Sequence, residues 1–141
     1  MEVLVKNLKQ TQKLAKKFAK TLVGGERILL NGDLGAGKTT FTKFLAKSLG
    51  VKDEVTSPSF TILKQYKGKK LNINHFDLYR VEEIEELREM GFDEFLDNDE
   101  SSILLIEWGE RANLDKTKFI NINIQKIDEN KRLFRIERWK Y

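Results

Sequence analysis

The chain has no cysteine, a single proline and a single histidine among its 141 residues. Without cysteine it has no disulfide, no thiolate metal site and no catalytic thiol. Its uncharged apolar runs are only a few residues long, far below the roughly 20 that a membrane-spanning helix needs. At the N-terminus Lys6 and Lys9 interrupt any secretory hydrophobic region. A cytoplasmic location, with no membrane association, is the default expectation. The sequence contains no repeat, no low-complexity tract and no linker, so residues 1–141 are expected to form one domain.

What the chain has is charge, unevenly placed. Ten acidic residues and one basic residue (Arg88) occupy positions 82–100, while the rest of the chain carries 25 basic against 12 acidic side chains. Lysines crowd the N-terminal stretch (Lys6, Lys9, Lys13, Lys16, Lys17, Lys20), and Lys131, Arg132, Arg135, Arg138 and Lys140 crowd the C-terminal one. A basic surface facing RNA or a protein partner is one reading. Solvated faces of ordinary elements are the plainer reading, and the favoured one.

The most informative segment is Gly32-Asp33-Leu34-Gly35-Ala36-Gly37-Lys38-Thr39, which fills every fixed position of the phosphate-loop pattern G-x-x-x-x-G-K-[ST]. At average residue frequencies it arises by chance in about one chain in two hundred of this length. Its context makes chance a poorer explanation still. Arg27 to Asn31 reads as a buried strand before it. Phe41, Phe44, Leu45, Ala46 and Leu49 recur at helical spacing after it, and Gly50 stands at the helix stop. Glycines let the backbone close around phosphate oxygens, and the following helix points its free N–H groups at the anion. Lys38 is expected on the β- and γ-phosphates, with the Thr39 hydroxyl on Mg²⁺.

Around that centre, residues 2–5 read as a short strand, and Leu8 to Leu22 as an amphipathic helix ended by Gly24-Gly25. Phe60 to Tyr66 and Leu71 to Phe76 read as a hairpin joined through Lys67 to Lys70. Glu82 to Glu89 reads as helix, broken near Gly91, with Phe92, Phe95 and Leu96 as anchors. Ile103 to Ile106 reads as a fully buried strand, and Ile120 to Trp139 as a second hairpin turning at Asp128-Glu129-Asn130. The expected fold is therefore α/β: a three-layer, phosphate-loop NTPase-like domain whose sheet is parallel around the loop and antiparallel in the hairpins.

Such a site needs a carboxylate near the metal. Glu107 directly follows four apolar residues, as a metal-binding carboxylate at a buried strand end does. Asp77, in His75-Phe76-Asp77-Leu78-Tyr79-Arg80, ends another strand candidate and could orient the attacking water or cap the next helix. His75 is expected to pack or to orient Asp77. Trp108 could stack near the nucleotide or belong to the core. Arg80 and Arg111 either neutralise phosphate charge or pair with the acidic stretch. Thr56-Ser57-Pro58-Ser59 could sense the γ-phosphate or form a Ser-Pro turn.

Together GDLGAGKTT, TSPSF, HFDLYR and IEWGER resemble the TsaE family of small bacterial ATPases of tRNA threonylcarbamoyladenosine biosynthesis, over essentially the whole chain and in motif order. The resemblance implies a cytoplasmic protein that binds ATP with Mg²⁺, hydrolyses it slowly, and supports TsaD and TsaB, which transfer the threonylcarbamoyl group onto tRNA. It implies that Thr39 and Glu107 ligate magnesium, that Leu34 to Thr40 wrap the phosphates, and that Thr11 contacts the nucleotide. Asp77 and Trp108 match positions tied to hydrolysis. Lys38, Asp77 and Glu107 are thus the candidate catalytic residues. Thr11, Gly32, Asp33, Leu34, Gly35, Ala36, Gly37, Lys38, Thr39 and Thr40 are the candidate ATP contacts. Ser59 departs from the family's usual threonine but keeps the hydroxyl. A small-molecule kinase and a nucleotide-gated binding module that barely turns over are the alternatives.

Overall fold

The computed structural model describes residues 1–56, 61–97 and 99–140. β1 (Glu2–Val5) leads to α1 (Leu8–Thr21), then β2 (Arg27–Asn31), the phosphate loop and α2 (Lys38–Ser48). β3 (Leu63–Tyr66) and β4 (Asn72–Asp77) follow, then the short helices α3 (Ile84–Glu89) and α4 (Phe92–Leu96). β5 (Ser102–Glu107) runs through two 3-10 turns, Gly109–Ala112 and Lys116–Lys118, into the hairpin β6 (Ile120–Lys126) and β7 (Arg132–Glu137).

The seven strands form one sheet in the order β1-β7-β6-β2-β5-β4-β3. β6, β2, β5 and β4 are mutually parallel, and β1, β7 and β3 add at the edges in antiparallel pairs. The mixed sheet is the expected one. From β2 the chain leaves towards β4, whereas from β5 it crosses back past β2 to β6. The loop after β2 therefore lies at the point where the connections diverge, the position where open α/β sheets bind ligands.

Alternation along the strands assigns the two faces. Ile28, Leu30, Ile103 and Leu105 pack with α1 and α2, while Leu29, Leu104 and Ile106 pack with α3 and α4. This gives the three layers. On the first face an aromatic chain holds the helices in place: Phe18 meets Trp139 at 5.4 Å and Phe41 at 6.1 Å, and Phe41 meets Phe134 at 5.4 Å between ring centroids. Phe41 is in the first turn of α2, so this packing fixes the helix that carries the end of the phosphate loop. On the second face Phe76 meets Phe92 and Phe95 edge-on, at 4.9 and 5.2 Å. No helix of the described residues is long and apolar enough to cross a membrane.

Boundaries shift slightly from the sequence reading. α3 begins at Ile84 because Glu83 is still extended (φ −127°). β4 runs on to Asp77, which pairs in register with Glu107, the last residue of β5. The expected start of the first hairpin at Phe60 lies outside the described residues.

Candidate nucleotide site

The site forms where the carboxyl ends of β2, β5 and β4 meet the start of α2. Gly32 lies where a Cβ would come within 2.8 Å of the Ile124 carbonyl oxygen, so no larger residue fits as the chain leaves β2. Gly37 then takes φ 110° at the N-cap of α2, a left-handed conformation that glycine adopts without steric penalty. No side chain caps this helix, so the N–H donors of its first turn remain available to an anion.

Beside them is a cleft of about 450 Å³, whose walls include Leu34, Gly35 and the stretch from Gly37 to Thr40, together with Asp77, Glu107, Trp108 and Arg132. Lys38 and Glu107 are both buried, with Lys38 Nζ 3.8 Å from Glu107 Oε1. The other carboxylate oxygen, Oε2, lies 2.6 Å from His75 Nε2. Since a carboxylate only accepts, the ring proton is on Nε2 in this contact. Nδ1 is buried without a hydrogen-bond partner among the described residues. His75 therefore holds Glu107; the expectation that it orients Asp77 gives way to this contact. Removing any one of these three groups leaves the others under-compensated in a buried place, the costly case for an interior ion pair.

Lys38 Nζ also lies 4.4 Å from the Trp108 ring centroid, and Trp108 meets Tyr79 at 4.9 Å. Trp108 has φ 58°, unusual for a bulky residue, and this backbone turn swings the indole back over the site. Trp108 thus joins the site as a platform for the lysine. Asp77 is half-buried, and its Oδ1 accepts from the Tyr79 N–H at 3.0 Å, closing a tight local turn. Burial pushes its carboxyl above the usual range and the nearby Glu107 charge adds to this, while the Tyr79 N–H, His75 and Lys38 pull the other way.

The remaining candidates divide. Leu34, Gly35, Gly37, Lys38, Thr39, Thr40, Asp77 and Glu107 line the cleft. Gly32 and Asp33 instead line a neighbouring depression against β6 and β7, which Leu34 and Ala36 share. Thr11 is buried on the far side of the loop, in a second cavity of about 530 Å³ between the start of α1, Ala36, Gly37, Thr40 and the β6–β7 hairpin. Arg80 reaches the cleft, whereas Arg111 is exposed on the first 3-10 turn and is not among the residues lining it. Thr56 bonds through its backbone to the Tyr66 hydroxyl, and residues 57–60 of the expected sensor lie outside the described residues.

Arg132 was not singled out by the sequence, where it is one of several basic residues near the C-terminus. Its Nε donates to the Ala36 carbonyl at 2.9 Å, and Nη1 to the Asp128 carbonyl at 2.8 Å. The guanidinium thus ties the hairpin tip to the phosphate loop and borders both cavities.

A family model described as threonylcarbamoyl adenosine biosynthesis protein TsaE matches residues 5–134. The chain belongs to the TsaE family. Among curated relatives, the TsaE protein of Aquifex aeolicus is 44% identical over 139 residues, covering 97% of this chain and 96% of its own length. That of Rickettsia felis is 41% identical over 133 residues, covering 93% and 76%. Both are named tRNA threonylcarbamoyladenosine biosynthesis protein TsaE. The crystal structure of Bacillus subtilis YdiB superposes with a TM-score of 0.79 at 31% identity, covering 96% of this chain and 83% of that one.

The donor set suits magnesium bound together with a nucleotide. Among the described residues no group of three or more histidines or carboxylates forms a protein-only cage. Mg²⁺ on phosphates, however, needs only one or two protein ligands beside phosphate and water oxygens. The Thr39 hydroxyl and the Glu107 carboxylate border the same cleft, and Glu107 is ready to ligate because its acceptor lone pairs outnumber its two contacts.

Proposed function

We propose that this TsaE-family chain binds ATP with Mg²⁺ and hydrolyses it, in the cytoplasm, to drive turnover of a tRNA threonylcarbamoyladenosine-forming assembly with TsaD and TsaB. The observation that carries the reading is the buried Lys38–Glu107–His75 cluster at the uncapped N-terminus of α2, the helix that Lys38 itself begins. A lysine, oriented backbone donors and a fixed carboxylate are the parts that phosphoryl chemistry uses.

In this reading the loop amides of Leu34 to Thr40 and the Lys38 ammonium hold the β- and γ-phosphates, and Thr39 and Glu107 would hold Mg²⁺. The metal, when bound, supplies positive charge to the phosphate oxygens. Asp77, at the strand end beside Glu107, orients the water that attacks the γ-phosphorus. The P–O bond to the β-phosphate breaks as the new one forms and the water's proton passes to solvent, leaving ADP and phosphate. Trp108 and Tyr79 shield the Lys38 side from water. The base and ribose take the second cavity, against Thr11 and the hairpin tip. The threonylcarbamoyl transfer itself belongs to the partner subunits.

The test is steady-state phosphate release by the purified chain, alone and with TsaD and TsaB, in Mg²⁺ and in EDTA. Magnesium-dependent release that rises with the partners is the expected result. No release under either condition would overturn the ATPase reading. Transfer of the phosphoryl group to a metabolite in place of water would revive a kinase.

A further inference from the structure

The two helical layers carry opposite charge. α1 reads LKQTQKLAKKFAKT, with five lysines and no acidic residue, and α2 reads KTTFTKFLAKS, also without one. They pack side by side on one face of the sheet. Both begin at the phosphate loop, since Leu8, Thr11, Gly37 and Thr40 share one cavity. Both end at the lysine-rich turn before β4, where Lys70 Nζ donates to the Ala19 carbonyl and Lys70 N to the Leu49 carbonyl. The α1 lysines are exposed, as are Lys43 and Lys47 on α2. None of these seven has an ion pair among the described residues. The opposite face carries α3 and α4, with Glu85, Glu86 and Glu89 in the exposed positions.

A one-signed helix surface is not the cheapest way to stay soluble. Lys9 and Lys13, Lys13 and Lys17, Lys16 and Lys20, and Lys43 and Lys47 are like charges at i,i+4, each pair mildly unfavourable. An anion laid along the face relieves all of them together. The stripe from Lys9 to Lys20 is about 16 Å long at 1.5 Å per residue, and the second helix widens it by about 8–10 Å. That is long enough to follow several consecutive phosphates.

We propose that the α1–α2 lysine face binds the phosphate backbone of RNA. The side chains favour RNA over an acidic protein. Protein interfaces are depleted in lysine and enriched in arginine and aromatic anchors. Across α1 and α2 there is no arginine, and no aromatic side chain is exposed. Lysine ammonium groups are hydrated point charges, suited to phosphates without reading base sequence. That the RNA is tRNA rests on the proposed function; the surface itself does not.

The experiment is fluorescence anisotropy of a labelled tRNA transcript titrated with the full chain at 50–200 mM salt. Binding in the micromolar range is expected, steeply weakened by salt. The variant K13Q/K16Q/K20Q should lose affinity about tenfold or more at low salt, with a log–log salt slope shallower by about 2–3. K13E/K16E/K20E should lose more, and E85Q/E86Q/E89Q on the opposite layer should lose nothing. ATP affinity and helical circular dichroism, measured on every variant, should stay at wild-type level. If the Glu variant unfolds, the Gln variant carries the test. Absence of RNA binding at 50 mM salt, or an unchanged slope in a folded K13Q/K16Q/K20Q, overturns the proposal. So does loss of TsaD–TsaB binding with RNA affinity intact, which assigns the face to a protein. RNA binding by a chain that releases no phosphate would instead refute the ATPase reading and leave this surface standing.

Discussion

The two sides of the phosphate loop are built by different means. On the Lys38 side, the groups come from one short segment, Leu34, Gly35 and Gly37 to Thr40, and from the ends of two neighbouring parallel strands, Asp77 and Glu107. On the Thr11 side, the wall combines the start of α1 with a hairpin tip more than 90 residues further along the chain, joined to the loop by Arg132. The first side is fixed by local backbone and buried charge. The second depends on one side chain's hydrogen bonds, to Ala36 and to the hairpin's own carbonyls. The phosphate side should therefore govern whether ATP binds and reacts, and the far side how tightly the rest of the nucleotide is held.

The largest effect belongs to Lys38. Lys38→Ala removes the proposed charge-assisted phosphate contact, worth about 1.5–3 kcal/mol, so calorimetric ATP affinity should fall by roughly one to two orders of magnitude. It also leaves Glu107 buried without its cation, 3.8 Å away in the native chain. A lowered melting temperature without ATP should accompany the affinity loss, and wild-type affinity would break the division between the two sides.

Glu107→Gln comes next and separates chemistry from binding on the same side. The amide oxygen can still accept from His75, whose Nε2 lies 2.6 Å from the carboxylate, but the charge proposed to hold Mg²⁺ is gone. Turnover should fall by about tenfold or more, equivalent to 1.4 kcal/mol or more at the barrier, with a smaller change in ATP affinity. Unchanged phosphate release would move the metal role to Asp77.

Arg132→Ala tests the far side. It removes the Nε bond to Ala36 and the Nη1 bond to Asp128, at 2.9 and 2.8 Å. Bonds from a charged donor contribute about 1.5–3 kcal/mol, so ATP affinity should weaken by about tenfold, with kcat at saturation much less affected. Arg132→Lys keeps the charge but loses the planar fork that spans both carbonyls, and should restore little. Full rescue by lysine would mean that charge alone, and not the tie to the hairpin, is what the loop needs.

This asymmetry also explains what the sequence could and could not disclose. The loop, β2, β5 and Glu107 were legible because strand burial and the loop pattern are local signals. The β6–β7 hairpin was legible from its alternation. Arg132 was hidden because its partner at Ala36 is 96 residues away in the chain, and nothing nearby distinguishes it from Arg135 or Arg138. The partner of His75 was misread for a related reason. His75 and Asp77 point to the same side of β4, which suggests each other, yet β5 runs parallel alongside with Asp77 opposite Glu107, placing that carboxylate diagonally within reach of the imidazole. Strand pairing between distant segments leaves no such mark in sequence. The lysines of α1 were visible throughout, but their segregation from the acidic residues of α3 and α4 appears only once the sheet puts the two helical layers on opposite faces.

The smallest effect sharpens the comparison within the phosphate side, by asking whether Asp77 is kept for stability or for the reaction. Burial raises its pKa, with the Glu107 charge assisting. A carboxyl raised in the folded state favours folding in its protonated form, and that contribution is present below the ordinary carboxylate pKa near 3.8 and lost as pH rises through the folded value. Ionised Asp77 is therefore a mild burden on the fold at neutral pH. Asp77→Asn keeps an oxygen to accept from the Tyr79 N–H, 3.0 Å away in the native chain, while removing the charge. The variant should unfold at slightly higher denaturant than the native chain at pH 7 and show no such gain at pH 3, while releasing phosphate more slowly at pH 7. A gain in stability together with a loss of turnover is the signature of a group held in an unfavourable place because the chemistry uses it there. Equal stability at both pH values would show that the Lys38 charge and the Tyr79 N–H already compensate the burial. Unchanged phosphate release would leave Glu107 as the carboxylate on which hydrolysis depends.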